Sequence, residues 1–136
     1  MPFTFEEAYR VIKRIPKGMV MSYAGVARQC GRPGVQRAVG YALRALPAGS
    51  KVPWWRVINS QGRISNSSTP DAPDRQRELL IAEGVVVSED YHINLRHYDA
   101  EEIVYAKLRR SRERAEKKAG DFVQNPTWKC ELNIHH

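Results

Sequence analysis

Two adjacent tryptophans, Trp54 and Trp55, lie between Pro53 and Arg56 and are followed by the β-branched pair Val57-Ile58. A tryptophan side chain is costly to leave in water, and its indole N–H needs a partner when it is buried. Proline fixes one backbone torsion and restricts the residue before it, so the chain approaches the pair stiffly. The stretch therefore predicts a rigid turn that leads into a short buried strand. The tryptophans are either core residues beside that turn or the wall of a pocket for a flat aromatic ligand.

The length and composition of the chain fit one domain with a tail. Of its 136 residues, 42% are hydrophobic, which is enough to build a core. No run approaches the roughly 18 apolar residues of a membrane span, and Met1–Glu7 lacks the charged leader of a secretory signal. We therefore expect a cytoplasmic protein without membrane contact. The 22 basic residues outnumber the 15 acidic ones, and the net charge of +7 favours an anionic partner, nucleic acid first.

The cysteines and the terminal histidines give no sign of a metal site. Cys30 and Cys130 are far apart and fit no zinc-binding spacing. Neither has a base beside it in the sequence, and a cytosolic chain keeps such thiols reduced, so both are interpreted as structural. No metal is assigned to His135 and His136. We expect neither a metal nor a cofactor.

The first half of the chain predicts three helices that contain a helix-turn-helix. They span residues 5–14, capped by Thr4, residues 23–30, capped by Ser22, and residues 35–46. The turn Gly31–Gly34 joins the last two, and the second helix of such a motif is the one presented to DNA. Its small residues would let a nucleic-acid backbone approach closely. The motif also fits a helical hairpin that binds nothing. The residues that we expect to face DNA on this helix are Gln36, Arg37, Ala38, Gly40, Tyr41 and Arg44.

The second half of the chain predicts a further helix between two small β-hairpins. We expect the first hairpin to pair Val57-Ile58 with Ile64. The helix would run from Arg75 to Glu83, with Asp74 as its cap and Gly84 at the position after its end. The second hairpin would pair 85–87 with 93–95 and turn near Asp90. Residues 1–98 are thus predicted to form a mainly α, winged helix-turn-helix DNA-binding domain.

The chain changes character after Tyr98. Residues 100–119 favour helix, and the segment between Lys107 and Lys118 holds seven basic and two acidic residues. Such a helix is typical of a solvated appendage or of a segment that contacts a partner. We expect Gly120 to end it. Residues 99–136 are therefore predicted to form a basic, helical C-terminal extension.

Four stretches of the chain together resemble a known family. They are Ile15–Gly18 followed by Ser22-Tyr23, then Arg37–Gly40, then Pro53–Ile58, and then Ala82–Gly84. In order and spacing they are similar to the C-terminal, DNA-binding domain of the O6-alkylguanine-DNA alkyltransferases, from about Phe5 to Leu95. Those enzymes carry Pro-Cys-His-Arg-Val, in which the cysteine accepts the alkyl group. Here Trp54 stands at the cysteine position and Trp55 at the histidine position, a pattern that resembles the alkyltransferase-like proteins.

The substitutions at these two positions predict a protein that is not an enzyme. Alkyl transfer needs a thiolate activated by a neighbouring base, and an indole is neither. We therefore assign no catalytic residue. The resemblance implies that Glu83, which orients the histidine in the enzymes, keeps only a structural hydrogen bond here. Leu46 falls where the enzymes have an asparagine near the active site, and Cys30 is expected to lie away from the pocket.

The resemblance also implies how the remaining residues act. The family binds the minor groove and flips the damaged nucleotide out of the duplex. Arg37 matches the arginine that enters the base stack, and Tyr23 matches the tyrosine that crowds the neighbouring phosphate. Trp54 would line the pocket against the alkylated guanine. Arg56 is either a pocket anchor or a hydrogen-bond donor to backbone carbonyls. The residues assigned to the lesion pocket are Trp54, Trp55, Arg56, Val57, Ser67 and Ser68.

The leading hypothesis is a sensor of O6-alkylguanine in double-stranded DNA that hands the lesion to nucleotide excision repair proteins. We expect it to be a monomer, cytoplasmic, and associated with the nucleoid when bound to DNA. The alternative is a winged-helix regulator of undamaged DNA in which the tryptophans are merely structural. Arg37 distinguishes the two, because only a sensor needs it to tell damaged from undamaged DNA. A third hypothesis is an active alkyltransferase with an unusual acceptor.

Overall fold

The computed structural model describes residues 2–123, with side chains as far as residue 119. The described part is mostly helical with one small sheet. None of its helices is long and apolar enough to cross a membrane. Its helices are α1 (Phe5–Ile12), α2 (Tyr23–Gln29), α3 (Gln36–Arg44), α4 (Ala72–Ala82), α5 (Leu95–Tyr98) and α6 (Glu101–Val123). Its strands are β1 (Met21–Ser22) and β2 (Val57–Ile58), and a 3-10 turn covers Trp54–Arg56.

The N-terminal helix follows its sequence signals at its start and ends earlier than predicted. The Thr4 N–H donates to the Glu7 carboxylate at 2.8 Å, half of the reciprocal capping arrangement at a helix start. Ala8 and Ile12 are buried on the inner face. Phe5, which the spacing places inside, is 41% exposed, because it lies in the first turn at the edge of the core. Helix α1 ends at Ile12 rather than at residue 14.

Helices α2 and α3 form the predicted helix-turn-helix pair. The Ser22 hydroxyl accepts the Gly25 N–H at 2.9 Å, which confirms Ser22 as the cap of α2. Val39 and Ala42 are fully buried on the inner face of α3. The Tyr9 hydroxyl donates to the Ala42 carbonyl at 2.6 Å and so ties α1 to α3. The outer face of α3 is left to the solvent.

The sheet pairs two distant segments rather than two neighbouring ones. Strands β1 and β2 are parallel, with Met21 opposite Val57. The hairpin expected between β2 and Ile64 is wrong. The Asn59 side chain accepts two backbone N–H groups and turns the chain sharply after β2. The Ile64 N–H then donates to the Tyr91 carbonyl, at 3.0 Å, instead of to β2.

The second expected hairpin, between 85–87 and 93–95, is also wrong. Side chains take up the backbone groups that a hairpin would use: the Val86 N–H donates to the Tyr98 hydroxyl at 3.1 Å, and the Val87 carbonyl accepts from Arg77 at 3.3 Å. The chain does turn near Asp90, and helix α5 begins where the second strand was expected. In place of small β-hairpins, the described residues therefore contain one two-stranded parallel sheet.

Helix α4 starts earlier than predicted. Its N-cap position is held by Asp71 and not by Asp74. Pro73 lies in its first turn, where the missing N–H of proline costs nothing. Gly84 ends it with a φ of 94°, which confirms the predicted stop, since a residue with a side chain is strained in that conformation.

The chain divides into two compact units, Met1–Tyr105 and Ala106–His136. In the first unit, Ile58, Leu80 and Ile93 belong to one buried cluster. The start of α6 belongs to this unit as well, because Ala100 and Val104 are fully buried. Arg28 and Gln29 of α2 also bind Glu101 in its first turn.

The second unit is described through the later part of α6. The Arg109–Glu113 pair, 3.6 Å apart and more than half exposed, is the kind of helical surface pair that contributes little stability. Helix α6 continues through Gly120 to Val123, so the expectation that this glycine ends the helix is wrong. One glycine costs a helix only about 1 kcal/mol. The interpretations of Cys130, His135 and His136 fall outside the described residues.

Candidate nucleic-acid interface

The tryptophan pair forms a single 3-10 turn directly before β2. The Arg56 N–H donates to the Pro53 carbonyl at 3.1 Å and closes the turn. Both indoles are half-buried, and their rings meet edge to face at 5.9 Å with an interplanar angle of 88°. That geometry is favourable for two aromatic rings and fixes the orientation of each against the other. The first tryptophan, Trp54, is therefore held from behind by Trp55.

The Glu83 carboxylate lies at the centre of the hydrogen bonds behind this turn. It accepts from the Trp55 indole N–H at 2.9 Å, from the Gly18 N–H at 3.2 Å, and from the Arg56 guanidinium at 3.0 and 2.6 Å. Burial opposes ionisation of this side chain. The donors from Arg56 and Trp55 outweigh that effect, so the pKa of the Glu83 carboxyl lies below its usual value.

The guanidinium of Arg56 is bound by other groups of the protein. Besides its two-point contact with Glu83, its guanidinium donates to the Ile15 carbonyl at 2.8 Å and lies 5.4 Å from the Trp55 ring centroid. Only 14% of its side chain is exposed. Of the two roles considered for Arg56, the geometry matches the donor to backbone carbonyls. It joins the loop after α1 to the tryptophan turn.

Gln76 supports the turn from inside and was missed by the sequence analysis. It is 1% exposed, and its amide nitrogen donates to the Trp55 carbonyl at 3.0 Å and to the Val57 carbonyl at 2.9 Å. Its own oxygen accepts no hydrogen bond from any described residue. A signal existed in the sequence, because Gln76 lies four residues after Ala72 and four before Leu80, both of which are buried on the same face of α4.

The outer face of α3 carries the predicted DNA-contacting side chains. Within the part of the chain that the structure describes, Arg37 makes no hydrogen bond or ion pair, and the Arg44 guanidinium lies over the Tyr41 ring, 5.4 Å from its centroid. A Cβ added to Gly40 would meet nothing within 4 Å. Packing among the described residues therefore does not explain the glycine. Gln36 is exposed and Ala38 partly exposed on the same helix.

Tyr23 begins α2 and reaches towards α3. Burial raises the pKa of its hydroxyl, and a hydrogen bond with Ser65 and the charge of Arg44 oppose that rise only in part. These two effects place the phenol near both side chains. Ser67 and Ser68 are exposed in the loop before α4, and Ser68 bonds to Asn66 at 2.8 Å. Among the described residues, no hydrogen bond links either serine to the tryptophan pair.

Arg75 is a further residue at this site that sequence reasoning missed. It is exposed on α4, and its guanidinium lies 5.9 Å from the centroid of the Trp54 ring. No local pattern in the sequence could indicate this contact, since it depends on how α4 packs on the 3-10 turn.

The described residues hold no group of three or more His, Cys, Asp or Glu side chains that could bind a metal. Another groove lies elsewhere on the first unit. It is lined by Gln29 at the end of α2 and by residues between Leu95 and Tyr105, and by none of the predicted site residues. The candidate interface is thus the outer face of α3 together with the tryptophan turn.

The part of the chain that contains the helix pair and the tryptophan turn matches a known protein family. Residues 4–85 match the family described as 6-O-methylguanine DNA methyltransferase, DNA binding domain. The chain belongs to this family, and within it to the alkyltransferase-like proteins.

Individual relatives agree with that assignment. The chain is 51% identical over 92 residues to a DNA base-flipping protein of Vibrio parahaemolyticus, a match that covers 68% of this chain and 90% of the relative. It is 37% identical over 98 residues to alkyltransferase-like protein 1 of Schizosaccharomyces pombe, covering 69% and 91%. The crystal structure of the Schizosaccharomyces pombe protein in complex with damaged DNA containing O6-carboxymethylguanine matches with a TM-score of 0.66 at 36% identity, covering 70% of this chain and 92% of that one.

Proposed function

We propose that this chain is a non-enzymatic sensor that binds O6-alkylguanine in duplex DNA and holds the flipped nucleotide without repairing it. The observation that carries the proposal is the hydrogen-bonded tryptophan turn. By the resemblance, Trp54 and Trp55 occupy the positions of the acceptor thiol and its base, and Glu83 accepts from an indole N–H, which neither ionises nor takes up a proton at neutral pH. The Schizosaccharomyces pombe relative, solved on damaged DNA, supports lesion binding by this fold.

Cys30 does not replace the missing acceptor. It lies at the end of α2 and is half-buried, and burial raises the pKa of its thiol to about 11. At neutral pH the thiolate that alkyl transfer requires is therefore scarce. This supports a protein that binds the lesion without reacting with it.

In the proposed complex, α2 and α3 act as the helix-turn-helix of a winged-helix domain. Helix α3 lies in the minor groove, where Ala38 and Gly40 let the DNA backbone approach. Arg37 enters the base stack, which offsets part of the few kcal/mol that unstacking costs. Its lack of any partner among the described residues leaves the guanidinium available for that role.

The remaining predicted DNA contacts extend this face. Tyr23 crowds the phosphate beside the flipped nucleotide, and its position near Arg44 places it beside the outer face of α3. Gln36, Tyr41 and Arg44 contact the sugar-phosphate backbone along the groove.

In the proposed pocket, Trp54 is the wall against which the alkylated guanine lies, a contact worth about 1–3 kcal/mol. Trp55, Arg56 and Val57 hold that wall in place from behind. The loop with Ser67 and Ser68 closes over the base.

A protein that binds a lesion and leaves it unrepaired acts by marking it. We propose that this chain works as a monomer in the cytoplasm, at the nucleoid, and passes the lesion to nucleotide excision repair proteins. The basic segment between Lys107 and Lys118 is a candidate contact for such a partner or for DNA.

Binding to two short duplexes, which differ in one O6-methylguanine in place of guanine, tests the proposal. The salt concentration should be near physiological, because non-specific phosphate contacts of a +7 protein mask discrimination at low salt. Intact-mass spectrometry of the same sample then reports any transfer. We expect tighter binding to the lesion and no added methyl. Equal affinities would instead indicate a winged-helix regulator, and a gain of one methyl would indicate an enzyme.

A further inference from the structure

We propose that Arg75 and Trp54 together form a subsite for a negatively charged O6-alkyl group. The protein would then favour alkylguanines whose alkyl group ends in a carboxylate over neutral ones of the same size. This inference rests on the proposed function, since it concerns the lesion that lies against Trp54. It names a class of lesion that the pocket selects.

The backbone of Arg75 is fixed within α4, and its side chain is exposed. Its backbone N–H donates to the Asp71 carbonyl at 3.0 Å within the first turn of α4. Its guanidinium carbon lies 5.9 Å from the Trp54 ring centroid, over the ring. Trp54 is itself held by its edge-to-face contact with Trp55. The guanidinium therefore stands beside the proposed pocket wall.

The donors of Arg75 are not used within the described part of the chain, where the guanidinium makes no hydrogen bond or ion pair. The other two arginines around the turn differ. Arg56 is bound to Glu83, and Arg77 donates to the carbonyls of residues 87 and 88. The carboxylate of Asp71 accepts from the Thr69 hydroxyl, and this bond together with the charge of Arg75 lowers the pKa of Asp71; the two charges interact, but no hydrogen bond joins them. Arg75 is thus the arginine at this turn with a free fork of N–H groups.

A carboxylate is the group that such a fork recognises best. A guanidinium presents parallel N–H donors that match the two oxygens of a carboxylate, and the charge strengthens both bonds. A guanine that lies against Trp54 brings its O6 substituent close to the cation over that ring. A neutral substituent gains no charge interaction there and competes with the guanidinium for space on the indole.

Two lesions of equal size and different charge provide the test. Duplexes contain guanine, O6-methylguanine, O6-carboxymethylguanine, or O6-carbamoylmethylguanine, in which an amide replaces the carboxylate. The proteins are the unmodified chain, Arg75→Gln, Arg75→Lys, and Arg10→Gln as a control that removes one exposed arginine from α1. Affinities are measured at 50 and 150 mM salt, with thermal unfolding to show that each variant is folded.

We expect the unmodified protein to bind the carboxymethyl duplex about tenfold more tightly than the carbamoylmethyl duplex, a ratio set by one charge-assisted contact and equal to about 1.4 kcal/mol. Arg75→Gln should abolish this ratio and keep the preference for O6-methylguanine over guanine. Arg75→Lys should keep part of it, and Arg10→Gln all of it. The preference should weaken at the higher salt.

The outcomes separate this inference from the proposed function. Equal binding of the two matched lesions, with O6-methylguanine still preferred over guanine, overturns the subsite and leaves the sensor intact. A preference that persists in Arg75→Gln also overturns the subsite. No preference for any lesion over guanine overturns the proposed function itself.

Discussion

The indole N–H of Trp55 donates a 2.9 Å hydrogen bond to the carboxylate of Glu83. In the alkyltransferases that the chain resembles, the matching pair is a histidine and a glutamate that prepare a thiol for reaction. Here the geometry of a donor facing a carboxylate is kept, while the indole cannot act as a base, because its nitrogen neither ionises nor takes up a proton at neutral pH. Glu83 instead joins Gly18, Trp55 and Arg56 into one rigid unit.

Restoring the thiol alone should not restore transfer. In Trp54→Cys the new thiol still faces an indole, so we expect no methyl on the protein after incubation with an O6-methylguanine duplex. The double change Trp54→Cys with Trp55→His returns a base beside Glu83 and should give measurable transfer. Intact-mass spectrometry over several hours distinguishes the two. A methylated single variant would mean that another group in the pocket serves as the base.

Loss of Arg37 should remove lesion discrimination without affecting stability. The side chain is exposed and has no partner among the described residues, so Arg37→Ala should leave the unfolding free energy within about 0.5 kcal/mol. Affinity for the O6-methylguanine duplex should fall tenfold or more, about 1.4 kcal/mol, towards the value for guanine. Arg10→Ala, which removes the same charge from α1, is the matched control. An Arg37→Ala protein that still prefers the lesion would rule out the wedge role.

Gly40→Ala should raise the stability of the protein and weaken its binding to DNA. An added Cβ meets nothing within 4 Å, so the change should stabilise α3 by about 0.5–1 kcal/mol in urea unfolding. The same methyl group should weaken DNA binding, because it holds the backbone of the duplex away from the helix. Fluorescence anisotropy with undamaged DNA is sufficient for this test. Unchanged affinity would place the DNA elsewhere on the protein.

The Glu83 carboxylate should make stability depend on pH in the acid range. Its pKa is lower folded than unfolded, so its contribution is fully present above the ordinary pKa of a glutamate and is lost as pH falls through the folded value. Glu83→Gln should therefore cost about 3 kcal/mol at pH 7, because it leaves the Arg56 charge buried without its partner. The difference from the unmodified protein should shrink as the pH falls below the ordinary pKa of a glutamate carboxyl. A constant difference over that range, in urea unfolding, would contradict this account.

The helices were largely predictable because their signals are local. Thr4 and Ser22 mark the starts of α1 and α2, and Gly84 marks the end of α4 at a backbone conformation that favours glycine. The pairing of β1 with β2 was not predictable, since strands of two residues carry almost no sequence signal and their partners lie far apart. The expected hairpins failed for the related reason that residues 62–64 pair with the distant residues 91–93, while side chains of Asn59 and Arg77 bond to other backbone groups of these segments.

The site residues that belong to family motifs were predictable from the sequence. Those that reach the site only through the packing of α4 were not. The tryptophan turn and Glu83 stand out from their order and spacing. In the sequence Gln76 does not differ from other polar helix residues. In the structure its amide nitrogen donates to the carbonyls of Trp55 and Val57. Arg75 reaches Trp54 only because α4 lies against the 3-10 turn.

The short parallel sheet has a consequence for how the two halves of the interface act together. Strand β1 ends at Ser22, which caps α2, and strand β2 begins at Val57, directly after the tryptophan turn. Because β1 and β2 are hydrogen-bonded to each other and each has only two residues, the tryptophan turn and the α2–α3 pair are held at a fixed distance from each other. The entropic cost of aligning the tryptophan turn with the helix pair therefore arises during folding and not when the protein binds a ligand. In the proposed complex, the tryptophan turn and α3 therefore meet the duplex at one fixed spacing, which an intact base step and a distorted one fit differently.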